Sequence, residues 1–488
     1  MTLLRRALFY VFLVAYLVIC PLTILYAFGY AVHPGAQQRI VKTGLIYLST
    51  SPSGASIYIG RRRFTKKTPA SLPGLLPGDY PVRLVLKNHA VWQQTVPVEA
   101  EKATVLENVL LLPVRLKPRI VLPEPYEQLL PLLGGRRLLL TRGPRLGDIV
   151  VYDTRSDAAW PLLPPGADLR EANVAARYLV KGSPRVLVRV EDSRGWRWLW
   201  IEVGRAGAAF ADLTTLFLER PDDVQWAPRS RHYLFSIQGG SVHRVDAVNR
   251  AVSPRWLTGV AGFGVTDREV YMVAEDGRLL RVDSEGRNAS QLAELPLSDP
   301  PWLGARPFHH VKAFAPDTIL ALSDRGELLA PRAAFPLVEG GVVGLEWDAN
   351  RRRLLCWQHS RIGIIEFNGE AWDADEPEPP PQLQWVYQEG ARITEAWWAH
   401  EGSHVIFRDG ERLHLLALDT YGPPQLAPLL EVKRDSAVAY MEEVGAVYYL
   451  DPGSSQLSSL QVVPKRERLS LPPLETTARR RSAGSDAP

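Results

Sequence analysis

Gln225-Trp226-Ala227-Pro228-Arg229-Ser230-Arg231-His232-Tyr233-Leu234-Phe235-Ser236-Ile237 places a tryptophan and a proline-bearing turn just ahead of an apolar strand. The arrangement returns downstream. Glu346-Trp347-Asp348-Ala349 leads into the apolar run 354–357, and Ala396-Trp397-Trp398-Ala399 leads into 404–407. In each copy the strand is under way seven residues after the tryptophan, at Tyr233, Leu354 and Val405. Trp226 and Trp347 are 121 residues apart, close to three units of about 40; Trp347 and Trp398 are 51 apart, one unit with an insertion. We assign that insertion to 373–381, which is acidic and proline-rich.

A second motif is a strand that ends in aspartate: Val151-Tyr152-Asp153, Arg244-Val245-Asp246, Arg281-Val282-Asp283, Ala417-Leu418-Asp419 and Tyr449-Leu450-Asp451. Hairpin signals recur at Asp276-Gly277, Asp324-Arg325-Gly326 and Asp409-Gly410. These pieces build one four-stranded antiparallel sheet per unit, and radial repetition of such sheets removes most exposed strand edges. Across 123–463, units of about 43 residues give close to eight. The expectation is seven or eight blades, with seven preferred because first and last units often share strands to close a ring. The blades resemble the divergent WD40-like repeats of TolB-type β-propellers, which often read Trp-Ser-Pro-Asp-Gly before the apolar strand. Trp226-Ala227-Pro228 is the best copy. The resemblance implies architecture and assigns no site residues.

Upstream, residues 44–115 read as a separate small sandwich of five or six antiparallel strands. Its turns are Ser51-Pro52-Ser53-Gly54-Ala55, Lys66-Lys67-Thr68-Pro69-Ala70 and Pro77-Gly78-Asp79-Tyr80. Between 81 and 87, Val82, Leu84 and Leu86 alternate with Arg83 and Lys87, a half-buried strand pattern. The ordered residues Ser51, Pro52, Gly54, Ala55, Gly60, Thr68, Pro69, Gly78 and Tyr80 resemble the PEGA domain, a small extracytoplasmic β-sandwich. Ser53 stands where the name-giving motif has Glu, and Lys87-Asn88-His89-Ala90 replaces the usual Gly-Tyr. The resemblance implies a fold and an envelope context, with no catalytic residues to carry over. Arg61-Arg62-Arg63 with Lys66-Lys67 reads as a basic hairpin, either a solvated turn or a contact for anionic lipid or wall polymer.

Residues 7–32 carry no Asp, Glu, Lys or Arg, and fourteen of them are Leu, Ile, Val or Phe. As a helix they would reach roughly 39 Å, past the roughly 30 Å hydrocarbon core of a bilayer. We expect a single uncleaved transmembrane signal anchor, with residues 1–6 as a cytoplasmic N-terminus and 33–43 as a linker. Arg5 and Arg6 ahead of the run favour N-inside orientation, which leaves the later domains outside the cytoplasm at the cell membrane. A cleaved signal peptide ending at the small pair Gly29 and Ala31 is the competing reading.

Net charge is +4 and the basic residues are dispersed, so no nucleic-acid footprint is present. Only Cys20 and Cys356 exist, and Cys20 lies in the apolar run, which leaves Cys356 without a disulfide partner in the soluble part. Of the histidines, the adjacent pair His309-His310 points to opposite faces of any strand, and His359, His400, His404 and His414 show no zinc spacing. We therefore expect no metal and no cofactor. There is no Gly-x-Ser-x-Gly, no Walker A loop and no His-Glu-x-x-His. The recurring aspartates read as turn formers and the tryptophans as blade packing. Asn288-Ala289-Ser290 fits a glycosylation sequon, which means little in a bacterial envelope protein. Residues 464–488, with Arg479-Arg480-Arg481, read as a disordered basic tail. Catalytic residues are expected to be none. The function expected is a non-enzymatic, membrane-anchored binding or scaffold protein of the cell envelope, for a protein or polysaccharide partner. The alternative is a propeller-based glycan hydrolase or lyase, which needs two carboxylates roughly 5–10 Å apart facing one pocket.

Overall fold

The computed structural model of the chain describes residues 2–27, 30–32, 40–132, 136–179, 184–193, 195–204, 208–217, 221–226, 233–266, 268–283, 285–286, 288–295, 308–315, 318–330, 337–367, 381–418 and 421–464. The insertion at 373–381 (except Pro381), Asp419 and the tail from 465 onward lie outside them.

The apolar run, together with Arg5 and Arg6 ahead of it, forms one helix, α1 (Thr2–Ala27), which begins before and ends short of the expected 7–32. Tyr30–Val32 is instead a strand paired antiparallel with Ile40–Lys42, inside the expected linker. Aromatic and β-branched residues there suit extended backbone. Large apolar side chains from Leu8 to Ile19 stand 41–70% exposed, so this part of α1 has no protein core to bury it. Among the described residues no helix is long and apolar enough to cross a membrane; in α1 the side chains described are those of 8–21 and 23.

The sandwich has seven strands rather than five or six, in sheets of three and four. Gly44–Ser51 sits between Ala70–Leu75 and Ala103–Leu110, the latter pairing parallel, so this sheet is mixed. Arg62–Lys67, Ser56–Ile59, Gly78–Val85 and Trp92–Val98 form the other sheet. Period-two burial on Ile46, Leu48, Ile57, Val82, Leu84, Val96 and Leu106 supplies the core between them.

Beyond the sandwich, the chain makes four-stranded meanders in sequence: blade 1 over 128–161, blade 2 over 173–212, blade 3 over 223–258 and blade 4 over 260–294. Blade 5 spans 309–329, blade 6 spans 342–387, blade 7 spans 393–431 and blade 8 spans 439–461. Blade 5 shows three strands among the described residues. Blade 8 takes its fourth strand, Arg119–Pro125, from the beginning of the domain, paired with Gln456–Gln461.

The second strand of each blade is apolar on both faces, and its period of two sends alternate residues to the two neighbouring blades. In blade 6, Leu354 and Cys356 pack toward blade 5, while Leu355 and Trp357 pack toward blade 7. In blade 4, Val270 and Met272 face blade 3, and Tyr271 and Val273 face blade 5. The same division runs around the chain until Leu138, Leu140 and Tyr152 of blade 1 meet Met441, Tyr448 and Leu457 of blade 8. Eight seams that return to their start make a closed ring of eight blades among the described residues. Strand sharing does close it, but the borrowed strand completes blade 8 and leaves the number of blades unchanged, so seven is corrected to eight. The ring also begins at Arg119 rather than 123.

First strands line the centre. Val260–Val265 of blade 4 runs parallel beside His309–Ala315 of blade 5, pairing Gly262 with His309. The close approach needs glycine: a Cβ on Gly262 would stand 2.7 Å from His309 Cβ. The turns between second and third strands, and the links from one blade to the next, define an upper face. Asp276-Gly277, Asp324-Arg325-Gly326 and Asp409-Gly410 all lie there. First-to-second and third-to-fourth turns define the lower face.

Candidate functional site

A cavity of about 630 Å³ opens on the upper face, between blade 7 and the link into blade 8. Three pieces of chain wall it: the first strand of blade 7 (Ile393–Ala399), the hairpin joining His404–Asp409 to Arg412–Ala417, and the 432–438 link into blade 8.

Its floor is fixed. Arg408 interrupts the apolar run Val405-Ile406-Phe407 and is buried. Its Nε donates to Gly410 O at 2.8 Å, Nη1 to Ser436 O at 2.5 Å and Nη2 to Lys433 O at 3.1 Å. Nη1 also lies 3.5 Å from Glu395 Oε2. Glu395 in turn accepts from Val438 N at 3.3–3.4 Å. Burial pushes the Glu395 carboxyl above the usual carboxylate range, although the Arg408 charge and the Val438 N–H oppose it. The Asp409 carboxylate accepts from the N–H groups of Ala391 and Arg392 at 2.5–3.1 Å. Lys433 Nζ donates to Tyr126 O and Leu129 N donates to Ser436 Oγ, which extends the same link to the ring closure and blade 1. The two innermost carboxylates are thus engaged in holding loops.

The rim differs. Arg412–Glu431 at 3.4 Å and Arg434–Glu411 at 3.8 Å are exposed pairs, and such pairs contribute about 0–1 kcal/mol each. A partner's charges could replace them at small cost. Arg392, whose backbone is held by Asp409, also lines the cavity.

The aspartate motif resolves into turns. Asp153, Asp246, Asp283 and Asp451 each accept backbone N–H groups two or three residues on, at 2.8–3.1 Å. Asp153, Asp246 and Asp283 end third strands and sit on the lower face, whereas Asp451 ends a second strand and sits on the upper. Asp348 does the same work at the end of a first strand, accepting from Asn350 and Arg351. At Asp153 burial acts to raise the pKa, yet the N–H groups of Ser156 and Arg155 and the Arg137 guanidinium outweigh it and hold it below the usual range. Arg137 and Arg353 open second strands, bind Asp153 and Asp348, and donate across to the next blade at Val203 O and Gly402 O. Trp347 stacks on Phe314 of blade 5 with centroids 5.4 Å apart, and Trp398 Nε1 donates to Glu346 O of blade 6 at 3.0 Å.

The histidines do not gather into one site, although the His400 and His404 rings lie 5.5 Å apart. His309 is buried, whereas His310 is partly exposed and lies 3.9 Å from Asp223 of blade 3. His359 contacts Ile393 O on the upper face, His414 stacks on Phe407, and His400 and His404 lie on the lower face. Among the described residues no three His, Cys, Asp or Glu side chains converge as metal ligands. Cys356 is fully buried, and burial pushes its thiol up to about 12, so it is unreactive at neutral pH.

Sequence reading missed the Glu395–Arg408 floor. The available signal was one charge of each sign set into neighbouring apolar strands, Ile393–Ala399 and His404–Asp409.

Residues 43–111 match the PEGA domain family. No curated protein matches the chain. Among solved structures, BamB from Moraxella catarrhalis is similar at 11% identity with a TM-score of 0.43, covering 71% of this chain and 100% of that one. The β-propeller domain of Cps50 (Swd1) from Myceliophteria thermophila gives 11% and 0.37, over 71% and 100%. Oligogalacturonate lyase from Vibrio parahaemolyticus gives 11% and 0.36, over 64% and 96%. Likeness at this level transfers no activity.

Proposed function

We propose that this is a non-enzymatic, membrane-anchored protein of the bacterial cell envelope whose upper propeller face binds a protein or polysaccharide partner. The observation that carries this reading is the cavity between blade 7 and the link into blade 8, with its fixed floor and a rim of weakly held charge pairs. A surface of that kind exchanges internal ion pairs for a partner's and gains specificity from them. The engagement of Glu395 and Asp409 in loop-holding bonds argues for binding over carboxylate chemistry. The exposed apolar side chains of α1 support the anchor, since lipid is the medium that would bury them. A PEGA domain directly after it fits an extracytoplasmic position for the rest.

The test is affinity capture from detergent-solubilised envelopes with three versions of the full chain. Wild type and a lower-face control, Glu443→Arg, should retain the same discrete protein or glycan. The rim variant Glu411→Arg/Glu431→Arg should lose it. Equal capture by the rim variant, or no specific capture by wild type, would contradict the reading.

A further inference from the structure

The two sheets of the sandwich differ in charge. Ala70–Leu75, Gly44–Ser51 and Ala103–Leu110 carry no Lys or Arg. The facing sheet carries Arg62, Arg63, Lys66, Lys67 and Arg83, and its one acid is Asp79. Register gathers three of these cations on the outer face. Ile57, Ile59, Val82 and Leu84 belong to the core, so Ser56, Tyr58 and Arg83, which alternate with them, point outward. Arg63 pairs with Tyr58, Tyr58 with Arg83 and Arg83 with Gln93, which makes one row across all four strands. Arg63 and Arg83 are thus two strand spacings apart, roughly 9–10 Å. Lys67 pairs with Ser56, two residues along from Tyr58, roughly 7 Å away.

Arg63, Lys67, Arg83 and Gln93 are all exposed. Among the described residues Arg63 and Lys67 form no ion pair, and the Arg83 guanidinium lies over the Tyr58 ring, 4.7 Å from its centroid. Asp79 is four residues along the strand from Arg83, roughly 13 Å away. The row runs up to the propeller, where Gln93 O accepts from Gln425 Nε2 of blade 7 at 3.3 Å.

We propose that this outer face, with Arg63, Lys67 and Arg83 as its cations, binds a linear acidic polysaccharide. The site is separate from the upper-face cavity and does not rest on the function proposed above. A peptide is recognised by strand addition at a sheet edge or by side-chain pockets, and the flat face of a sheet supplies neither. Single-stranded nucleic acid stacks its bases on open aromatic rings, and here Arg83 covers Tyr58. An acidic glycan needs what the face carries: guanidinium forks for its carboxylates, and Ser56, Gln93 and Thr95 for its hydroxyls. The stack on Tyr58 holds Arg83 in place for that contact.

The test is fluorescence anisotropy of labelled alginate, a polyuronate, titrated with the full chain in mild detergent. Wild type should bind it saturably, and less tightly as salt is raised. Arg63→Gln/Arg83→Gln should bind about tenfold more weakly, and Lys67→Gln, which leaves the Tyr58 contact intact, about threefold. A control on the propeller, Arg155→Gln/Arg278→Gln, removes the same charge and should match wild type. Labelled polyglutamate should bind more weakly than alginate, and neutral dextran not at all. No binding of alginate by wild type, or equal affinity in the sandwich variants, would overturn the site. Polyglutamate binding as tightly as alginate would overturn the glycan as its occupant.

Discussion

Thr68 shows how single residues of the sandwich earn their place. Its hydroxyl meets Thr50 Oγ1 at 2.6 Å and accepts from Ala55 N at 3.0 Å, while its backbone N–H donates to Ala55 O. Thr68 is thus the clasp between the Ser51–Ala55 turn and the next strand, and it is buried. Thr68→Val keeps the shape and leaves the buried Ala55 N–H without its acceptor, while Thr50 Oγ1 still donates to Pro52 O at 2.7 Å. It should cost about 1–3 kcal/mol, read as a lower denaturant midpoint of the sandwich transition. His404 makes a different prediction. Burial, with the positive charges of His400 and Arg351, pushes it down to about 3. An unfolded histidine titrates near 6.5, so between those values the unfolded chain binds a proton that the folded one refuses. Stability from this site is present above about pH 6.5 and is lost on acidification toward 3. The melting temperature of wild type should fall more steeply from pH 7 to pH 4.5 than that of His404→Gln. His310 and His414, which burial shifts in the same direction, leave the variant a residual slope.

At the scale of elements, the seam between blades 4 and 5 rests on backbone approach. Gly262→Val should destabilise the ring by about 1–3 kcal/mol through overpacking against His309, measured by thermal unfolding. Much of this level was legible beforehand. Trp226 and Trp347 lie on first strands three blades apart, and Trp347 and Trp398 on those of adjacent blades, as their spacing predicts. Asp-Gly hairpins marked the upper face because second-to-third turns need left-handed residues such as Gly277 and Gly410. What stayed hidden was non-local. No local pattern says that Arg119–Pro125 pairs with Gln456–Gln461, or that Ala103–Leu110 runs parallel to Gly44–Ser51. The candidate site was hidden for the same reason: Glu395, Arg408 and Ser436 come from three segments that only ring packing brings together.

For the molecule as a whole, the sandwich fixes which way the propeller faces. Its far end, with Trp92 and the 107–112 segment, packs against the lower edge of blade 7 at His404, Ala417 and Leu426. Gln425 Nε2 donates to Gln93 O beside that contact, and Tyr421 Oη reaches along the side of the sandwich to donate to Val105 O. From the chain's entry into the sandwich at Gly44 the order is sandwich, lower face, upper face, and the charged cavity opens on the side of the ring away from the sandwich. With α1 as the proposed anchor, a partner would reach it without meeting the bilayer. That account depends on α1 remaining in place. The most direct test is the intact mass of the chain recovered from alkali-washed membranes of a bacterial host. Full-length protein in the washed bilayer fraction is the expected result. Recovery in the wash, or a mass corresponding to a start after Ala31, would contradict it.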